Sequence, residues 1–299
     1  MNVLPQQTKL YSVLPDQVNP SSPPDRLRGV CRFALPRPPP FEYDAAVSTV
    51  LAGLITAVRF LTIVPIPGRG LDGPDALGRA AVWFLPVGLA LGLVLAVADW
   101  LLVRLFPPLL SALLVLTAWK LLTGGIHLDG LADCLDGLAA RDPRQALAIM
   151  RDSRIGTFGA MGLILLLLLA LVALAELPRM VRGGTLLMAP LVGRYAPLLL
   201  ARGFPPVAGD HGSGAAFIRS VSGAALLVGG AIVAIIAGVI LWPHGLIAAA
   251  TGLGTAWVAG WLFSRRLRGL TGDGLGAAVE LAELGVLLAV AALSYLAAV

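Results

Sequence analysis

The stretch GGIHLDGLADCLDG, residues 124–137, closes a long apolar segment with three aspartates and a histidine. The acids are Asp129, Asp133 and Asp136, and His127 precedes them. Acidic side chains beside hydrocarbon are costly, and where they occur they are usually functional. The stretch therefore predicts a membrane-embedded fold and a chemical site at the end of one span.

The composition supports a membrane protein. The 299 residues are 58% hydrophobic and only 13% charged, whereas a soluble domain carries about 25% charged residues. The net charge of +5 does not indicate a nucleic-acid partner, because the basic residues are dispersed and lie near the ends of apolar segments. We expect an integral membrane protein in contact with lipid, with no nucleic acid bound.

Eight apolar segments approach the roughly 20 residues that a helix needs to cross the hydrocarbon core. They are 46–64, 80–105, 109–126, 157–177, 184–202, 222–242, 245–263 and 275–298. The first contains Arg59 and ends at Pro65, so a re-entrant or amphipathic helix is an alternative to a full crossing. Gly88 and Gly92 lie four residues apart and favour close helix packing. The expected fold is all-α, a polytopic transmembrane helical bundle of about seven to eight spans.

The segment before the first span differs from the rest of the chain. Residues 1–44 contain nine prolines, which predicts a disordered tail or an over-extended gene start, followed by a single transmembrane catalytic domain over residues 45–299. Only Arg104, Arg179 and Arg182 fall in the loops opposite the acidic motif, whereas eleven arginines fall on its own side. The positive-inside rule then predicts an acidic site that faces the cytoplasm.

The spacing of the acidic motif indicates a metal site. Asp129, Asp133 and Asp136 are four and three residues apart, so a helix places them on one stripe. A divalent cation would relieve their repulsion, and hard carboxylate oxygens suit Mg²⁺, Mn²⁺ or Ca²⁺. His127 would orient a carboxylate, contact a phosphate or join the acid–base chemistry.

A second motif, RDSRIGTFG at residues 151–159, places two arginines around one aspartate. The guanidinium forks of Arg151 and Arg154 match the geometry of phosphate. Asp152 would complete a metal shell. Between the two motifs, residues 143–150 are expected to form a short amphipathic helix. The pair of motifs therefore predicts a metal and a phosphate at the same end of the bundle.

A third motif, LTGDGLGAAVELAE at residues 270–283, opens the final apolar segment. Asp273 would act as a helix cap or as a site residue. Glu280 lies two turns further on the same face, and acids inside an apolar helix usually face a bundle interior. Arg194 interrupts another apolar segment, so we expect it to pair with an acid or with a substrate anion.

Together these residue types favour phosphoryl transfer with a divalent metal. Metal and arginines would neutralise a leaving pyrophosphate group, and an aspartate or His127 would take the proton from an attacking alcohol. The sequence has no Walker-type loop and no dinucleotide-binding glycine fingerprint, so a nucleotide is not expected to bind in those ways.

Four motifs resemble those of the cobalamin synthase family, the adenosylcobinamide-GDP ribazoletransferases. They are the FLTIVPIP run at 60–67, the acidic stretch from Gly124, the RDSR-x-GT run from Arg151, and TGD-x-x-GA from Thr271. The resemblance covers the chain from about residue 49 onward. It implies a Mg²⁺-dependent, multi-pass enzyme of the bacterial inner membrane.

In that family, adenosylcobinamide-GDP reacts with α-ribazole or its 5′-phosphate, GMP leaves, and adenosylcobalamin or its phosphate forms. The resemblance and the motifs together give catalytic roles to His127, Asp129, Asp152 and Asp273. The metal ligands would be Asp129, Asp133 and Asp136. The substrate-binding residues would be Arg151, Arg154, Thr157, Arg194, Thr271 and Glu280.

Two rival functions remain at this stage. A CDP-alcohol-type phosphotransferase also uses spaced aspartates in membrane helices, but Asp133 stands where its arginine would be. An ion-coupled transporter would use intramembrane charges such as Glu280, Glu283, Arg194 and Asp136 as coupling sites. The sequence shows no clear internal repeat of the kind found in transporters. Separately, the sequence is compatible with an oligomer.

Overall fold

Long apolar runs fold as helices because the bilayer core offers no other partner for the backbone. The computed structural model describes residues 42–298, and this range is helical almost throughout. Its helices are α1 (Glu42–Leu61), α2 (Ala76–Ala80), α3 (Phe84–Leu105), α4 (Pro108–Leu122), α5 (Ile126–Leu138), α6 (Pro143–Met150), α7 (Thr157–Glu176), α8 (Arg179–Gly203), α9 (Ser213–Ser220), α10 (Gly223–Ile240), α11 (His244–Leu267) and α12 (Gly272–Leu296). Most of the predicted tail, residues 1–41, lies outside the described residues. α1 begins at Glu42, within the last three residues of the predicted tail.

Six helical segments of the described range are long and apolar enough to cross a membrane, and a bent pair, α4 with α5, brings the number to seven. The all-helical transmembrane architecture is confirmed, at the lower end of the expected seven to eight spans. The segment expected at 46–64 corresponds to α1 (Glu42–Leu61), in which Thr49–Leu61 is a shorter apolar helix than the six segments. The short helix expected at 143–150 is α6.

The segment expected as one span at 109–126 ends in a sharp bend. α4 and α5 meet at 88°. Gly124 and Gly125, between them, adopt left-handed φ angles of 64° and 69°, a conformation that costs glycine little. The acidic motif therefore lies on a separate helix, α5, which leaves the end of α4 almost at a right angle.

The centre of the bundle is formed by α8 and α12. In the most apolar part of each helix, 83% and 72% of the residues are buried, against 28% in α7 and 22% in α10. Glycines let α3 approach α8 closely, as the sequence predicted. A Cβ added to Gly88 would lie 2.8 Å from the carbonyl oxygen of Pro190, and one on Gly92 would lie 2.7 Å from that of Leu186. Helix crossing at this distance is typical of small-residue interfaces in membranes.

The connecting segments at one end of the bundle meet each other. Pro206 forms an isolated bridge with Leu270, and Gly78, before α3, packs directly against Ser220 of α9. α6 contacts α5, and α9 contacts α12. These segments surround the beginning of α12 and the side of α5, which is where the predicted site residues lie.

Candidate active site

The first two sequence motifs line one cavity, here called the acidic cavity. It has a volume of about 470 Å³, and its polar walls include Asp129, Asp133, Arg151, Asp152 and Arg154. α5 supplies the two aspartates, and the turn after α6 supplies the other three residues. Three carboxylates and two guanidinium groups thus border the same space, although about 20 residues of sequence separate the two aspartates of α5 from the other three residues.

Asp152 and Arg154 are bound to each other. The Arg154 Nη2 donates to Asp152 Oδ2 at 2.6 Å, and its Nε donates to Oδ1 at 3.0 Å. These hydrogen bonds lower the pKa of Asp152 to about 2. Asp152 therefore stays ionised near neutral pH and is already neutralised by Arg154, which makes it a poor acceptor for a substrate proton.

Asp136 lies behind the acidic cavity rather than in its wall. Its carboxylate is buried and accepts the backbone N–H groups of Gly156 at 2.7 Å and Gly159 at 2.8 Å. These donors belong to the start of α7, where an acceptor is needed for the free N–H groups. The arrangement fixes α7 to α5 and leaves Thr157, the first residue of α7, exposed. The position of Asp136 is thus explained by capping, and its predicted role as a metal ligand is untested.

The beginning of α12 packs against α5 at a glycine. A Cβ on Gly130 would lie 2.8 Å from the carbonyl oxygen and 3.0 Å from the Cα of Asp273. The Thr271 hydroxyl accepts the Gly274 N–H at 3.1 Å and caps α12, and its predicted contact with substrate is untested. Because the two helices approach this closely, Asp133 feels the negative charges of both Asp129 and Asp273.

Asp273 also borders two further cavities. The first, here called the connecting cavity, has a volume of about 260 Å³ and is lined by Arg151, Asp210, Thr271 and Asp273. Arg151 lines both this cavity and the acidic cavity. A substrate that follows these walls would pass from the α5 aspartates, past Arg151, to Asp273.

The second neighbour is an apolar space, here called the aromatic cavity. It has a volume of about 160 Å³, and its walls include Phe60, Phe84, Phe217, His127 and Asp273. The Phe84 ring stacks on Phe60 at a centroid distance of 6.0 Å and on Phe217 at 5.4 Å. His127 is buried, and its Nδ1 has no hydrogen-bond partner among the described residues.

A fourth group of charges is buried deeper between α4, α8 and α12. Lys120 Nζ donates to Glu280 Oε2 at 2.5 Å and to Glu283 Oε2 at 2.9 Å, and Arg194 forms an ion pair with Glu283. Of the two partners expected for Arg194, an acid is the one observed. Glu280 is paired within the protein, and its predicted contact with substrate is untested. Lys120 had no predicted role, although a lysine inside an apolar segment is a signal of such a pairing.

The described residues contain no group of three or more acidic, histidine or cysteine side chains already placed to hold a metal ion. The donor types nevertheless fit Mg²⁺. This ion is usually bound by only one or two carboxylates together with substrate phosphates and water. Asp129 and Asp133 supply two such carboxylates in the acidic cavity, and a bound phosphate would complete the oxygen set.

The fold and the cavities define a polytopic helical membrane protein with a carboxylate and arginine site at one end of the bundle. Comparison with known proteins assigns the family. Residues 53–291 match the family described as Cobalamin-5-phosphate synthase, so the chain belongs to that family of membrane transferases of cobalamin biosynthesis. No solved structure matches the chain.

Several curated relatives carry the name adenosylcobinamide-GDP ribazoletransferase. The relative from Ectopseudomonas mendocina is 40% identical over 241 residues, which cover 79% of this chain and 96% of the relative. The one from Synechococcus elongatus is 41% identical over 77% of this chain and 92% of its own. The one from Acetivibrio thermocellus is 35% identical over 77% and 94%.

Proposed function

We propose that this protein transfers the adenosylcobinamide-phosphate moiety of adenosylcobinamide-GDP to α-ribazole or its 5′-phosphate, with release of GMP. The product is adenosylcobalamin or its 5′-phosphate. The printed names of the relatives support the reaction. The observation that carries the proposal is that Asp129, Asp133, Arg151 and Arg154 line one cavity, because this combination binds a metal–pyrophosphate group.

Each side of the acidic cavity has its own part in this proposal. Arg151 and Arg154 bind the oxygens of the pyrophosphate and offset the charge that develops on the departing GMP. Asp129 and Asp133 would hold Mg²⁺, and the ion, when bound, would supply further neutralisation of the leaving group. Asp136 acts indirectly, because it fixes the beginning of α7 beside the arginine turn.

In the transfer step, the 3′-hydroxyl oxygen of the ribazole ribose forms a bond with the phosphorus attached to the corrinoid's aminopropanol arm. The bond from that phosphorus to the bridging oxygen of GMP breaks, and the electron pair leaves with GMP. Asp273 accepts the hydroxyl proton and later passes it to water. Asp273 is preferred over Asp152 because it borders the connecting and aromatic cavities, whereas Asp152 is held by Arg154.

We further propose that the site faces the cytoplasm from the bacterial inner membrane. The arginine-rich turn after α6, the segment before α10 and the end of α11 all lie at the site's end of the bundle. That end carries Arg265, Arg266 and Arg268 in addition to the arginines of the acidic cavity. The positive-inside rule assigns such an end to the cytoplasm.

The test is GMP release by the purified protein in detergent, given adenosylcobinamide-GDP and α-ribazole, first with Mg²⁺ and then with EDTA. We expect release and cobalamin formation with Mg²⁺ only, and loss of both in Asp133→Asn. Asp72→Asn, which changes an exposed aspartate outside the cavities, is the matched control. A folded wild-type protein that releases no GMP would contradict the proposal and would return the CDP-alcohol-type and transporter alternatives to consideration.

A further inference from the structure

We propose that the aromatic cavity binds the 5,6-dimethylbenzimidazole ring of α-ribazole and directs its ribose towards Asp273. This inference rests on the proposed function, since it assigns the acceptor nucleoside of that reaction to a place in the protein. The walls are formed by α1, α2, α3, α5, α8, α9 and α12. Bringing these helices together creates an aromatic space directly beside the candidate proton acceptor.

The size of the cavity fits one flat aromatic group. Its volume is about 160 Å³, and an apolar cavity of about 150 Å³ is known to hold a benzene ring. The aromatic cavity adjoins the connecting cavity, because Ser213, Gly214, Gly272 and Asp273 line both. In this proposal the apolar end holds part of the bicyclic ring, which is larger than benzene, and the rest of the ring and its sugar extend towards the connecting cavity.

The wall chemistry favours this ring over the guanine of the donor. Phe60, Phe84 and Phe217 form a continuous stack whose two outer rings are half-buried or buried. Guanine would bury several hydrogen-bonding edges among these rings and leave most of them unpaired, which is unfavourable. Dimethylbenzimidazole carries two methyl groups and a single free ring nitrogen, so it presents mainly apolar surface.

His127 supplies the one buried polar contact that such a ring needs. Its side chain is 6% exposed, and Nδ1 has no partner among residues 42–298. Buried ring nitrogens are normally hydrogen-bonded, and Nδ1 is an unpartnered polar atom of a residue that lines the aromatic cavity. The free ring nitrogen of dimethylbenzimidazole, or a ribose hydroxyl, matches it.

The experiment measures Michaelis constants for both substrates in Phe60→Leu and Phe217→Leu. Loss of ring stacking is expected to raise the KM for α-ribazole by about three- to tenfold and to leave the KM for adenosylcobinamide-GDP unchanged. Phe204→Leu is the matched control, because Phe204 packs on Trp257 with centroids 4.9 Å apart and does not line the aromatic cavity. Its KM values should equal those of the wild type.

Binding without turnover separates this inference from the reaction itself. Equilibrium dialysis of α-ribazole against the wild-type protein should show competition by free 5,6-dimethylbenzimidazole and none by guanosine. Competition by guanosine alone, or unchanged KM for α-ribazole in both folded leucine variants, would overturn the inference while GMP release still supports the proposed function. If the leucine variants do not fold, the dialysis result decides. A wild-type protein without GMP release would remove the proposed function instead.

Discussion

Replacing Lys120 with methionine should destabilise the bundle strongly, because it removes one cation from a balanced buried group. Two cations, Lys120 and Arg194, face two carboxylates, Glu280 and Glu283. The three residues other than Lys120 are each at most 2% exposed. The substitution leaves two carboxylates with one guanidinium, and Glu280 loses its ion pair.

The magnitude follows from the two contacts that Lys120 makes. At 2.5 and 2.9 Å, Coulomb's law with an effective dielectric constant of about 20 gives roughly 6 kcal/mol for each, before desolvation. The dehydration of Lys120 offsets much of this, and removing one partner of a buried pair costs about 3–5 kcal/mol in measured cases. We expect a loss of that size in the free energy of unfolding.

The assay is equilibrium unfolding in mixed detergent micelles, followed by far-ultraviolet circular dichroism. Arg79→Met is the control, since it removes the cation of an exposed pair with Asp75 whose side chains are 47% and 54% exposed, a change worth about 1 kcal/mol or less. A second variant, Lys120→Met with Glu280→Gln, should regain part of the loss because it removes the uncompensated charge. The reasoning is refuted if Lys120→Met loses no more stability than Arg79→Met.

Three further perturbations address the site. Gly130→Ala should lower both GMP release and the free energy of unfolding, the latter by about 1–3 kcal/mol, because its methyl group would push Asp273 and α12 away from α5. Asp136→Asn should cost about 1–3 kcal/mol in thermal unfolding, since the asparagine amide keeps one uncharged acceptor oxygen for two backbone N–H groups. Asp152→Asn should leave the pH profile of GMP release unchanged above about pH 5. The pKa of Asp152 is lowered to about 2 by Arg154. The contribution of its charge is therefore fully present above the ordinary carboxyl pKa and is lost as the pH falls from there towards about 2.

Each of these has a matched control or a contrary result. Gly183→Ala adds a methyl group to α8 where nothing lies within 4 Å and should not destabilise. Asp142→Asn alters an exposed cap of α6 and should cost less than Asp136→Asn. A pH midpoint of GMP release that moves in Asp152→Asn would show that Asp152 titrates in the reaction and that its pairing with Arg154 is broken when substrate binds.

Apolar length alone predicted most of the bundle. The α7, α8, α10, α11 and α12 segments lie close to their predicted limits, because a run of about 20 apolar residues has few alternatives in a bilayer. The bend before α5 was harder to predict from the sequence. The glycine pair predicted the end of a span, but which way the next helix turns depends on packing against α12, which no local pattern encodes.

The sequence predicted the part of the candidate site that two neighbouring motifs supply. Asp129 and Asp133 do share a cavity with the two arginines of the second motif. Asp136 has the same helical spacing, yet the beginning of α7 packs on its side of α5. Residue spacing on a helix does not show which neighbouring helix will contact each face. The phenylalanines of the aromatic cavity come from three distant segments and carry no common motif.

The buried charge group also constrains how this protein is made. Lys120 enters the membrane with α4, and its partner Glu280 follows 160 residues later. Until α12 is synthesised, the nascent bundle holds Lys120 and Arg194 without their carboxylates. A charged residue costs up to about 2.5–3.5 kcal/mol on insertion, the value for the centre of a helix, and Lys120 lies in the last turn of α4. A product that ends before α12 therefore lacks both carboxylates that neutralise these cations, so the last helix to be made balances the charge of two earlier ones.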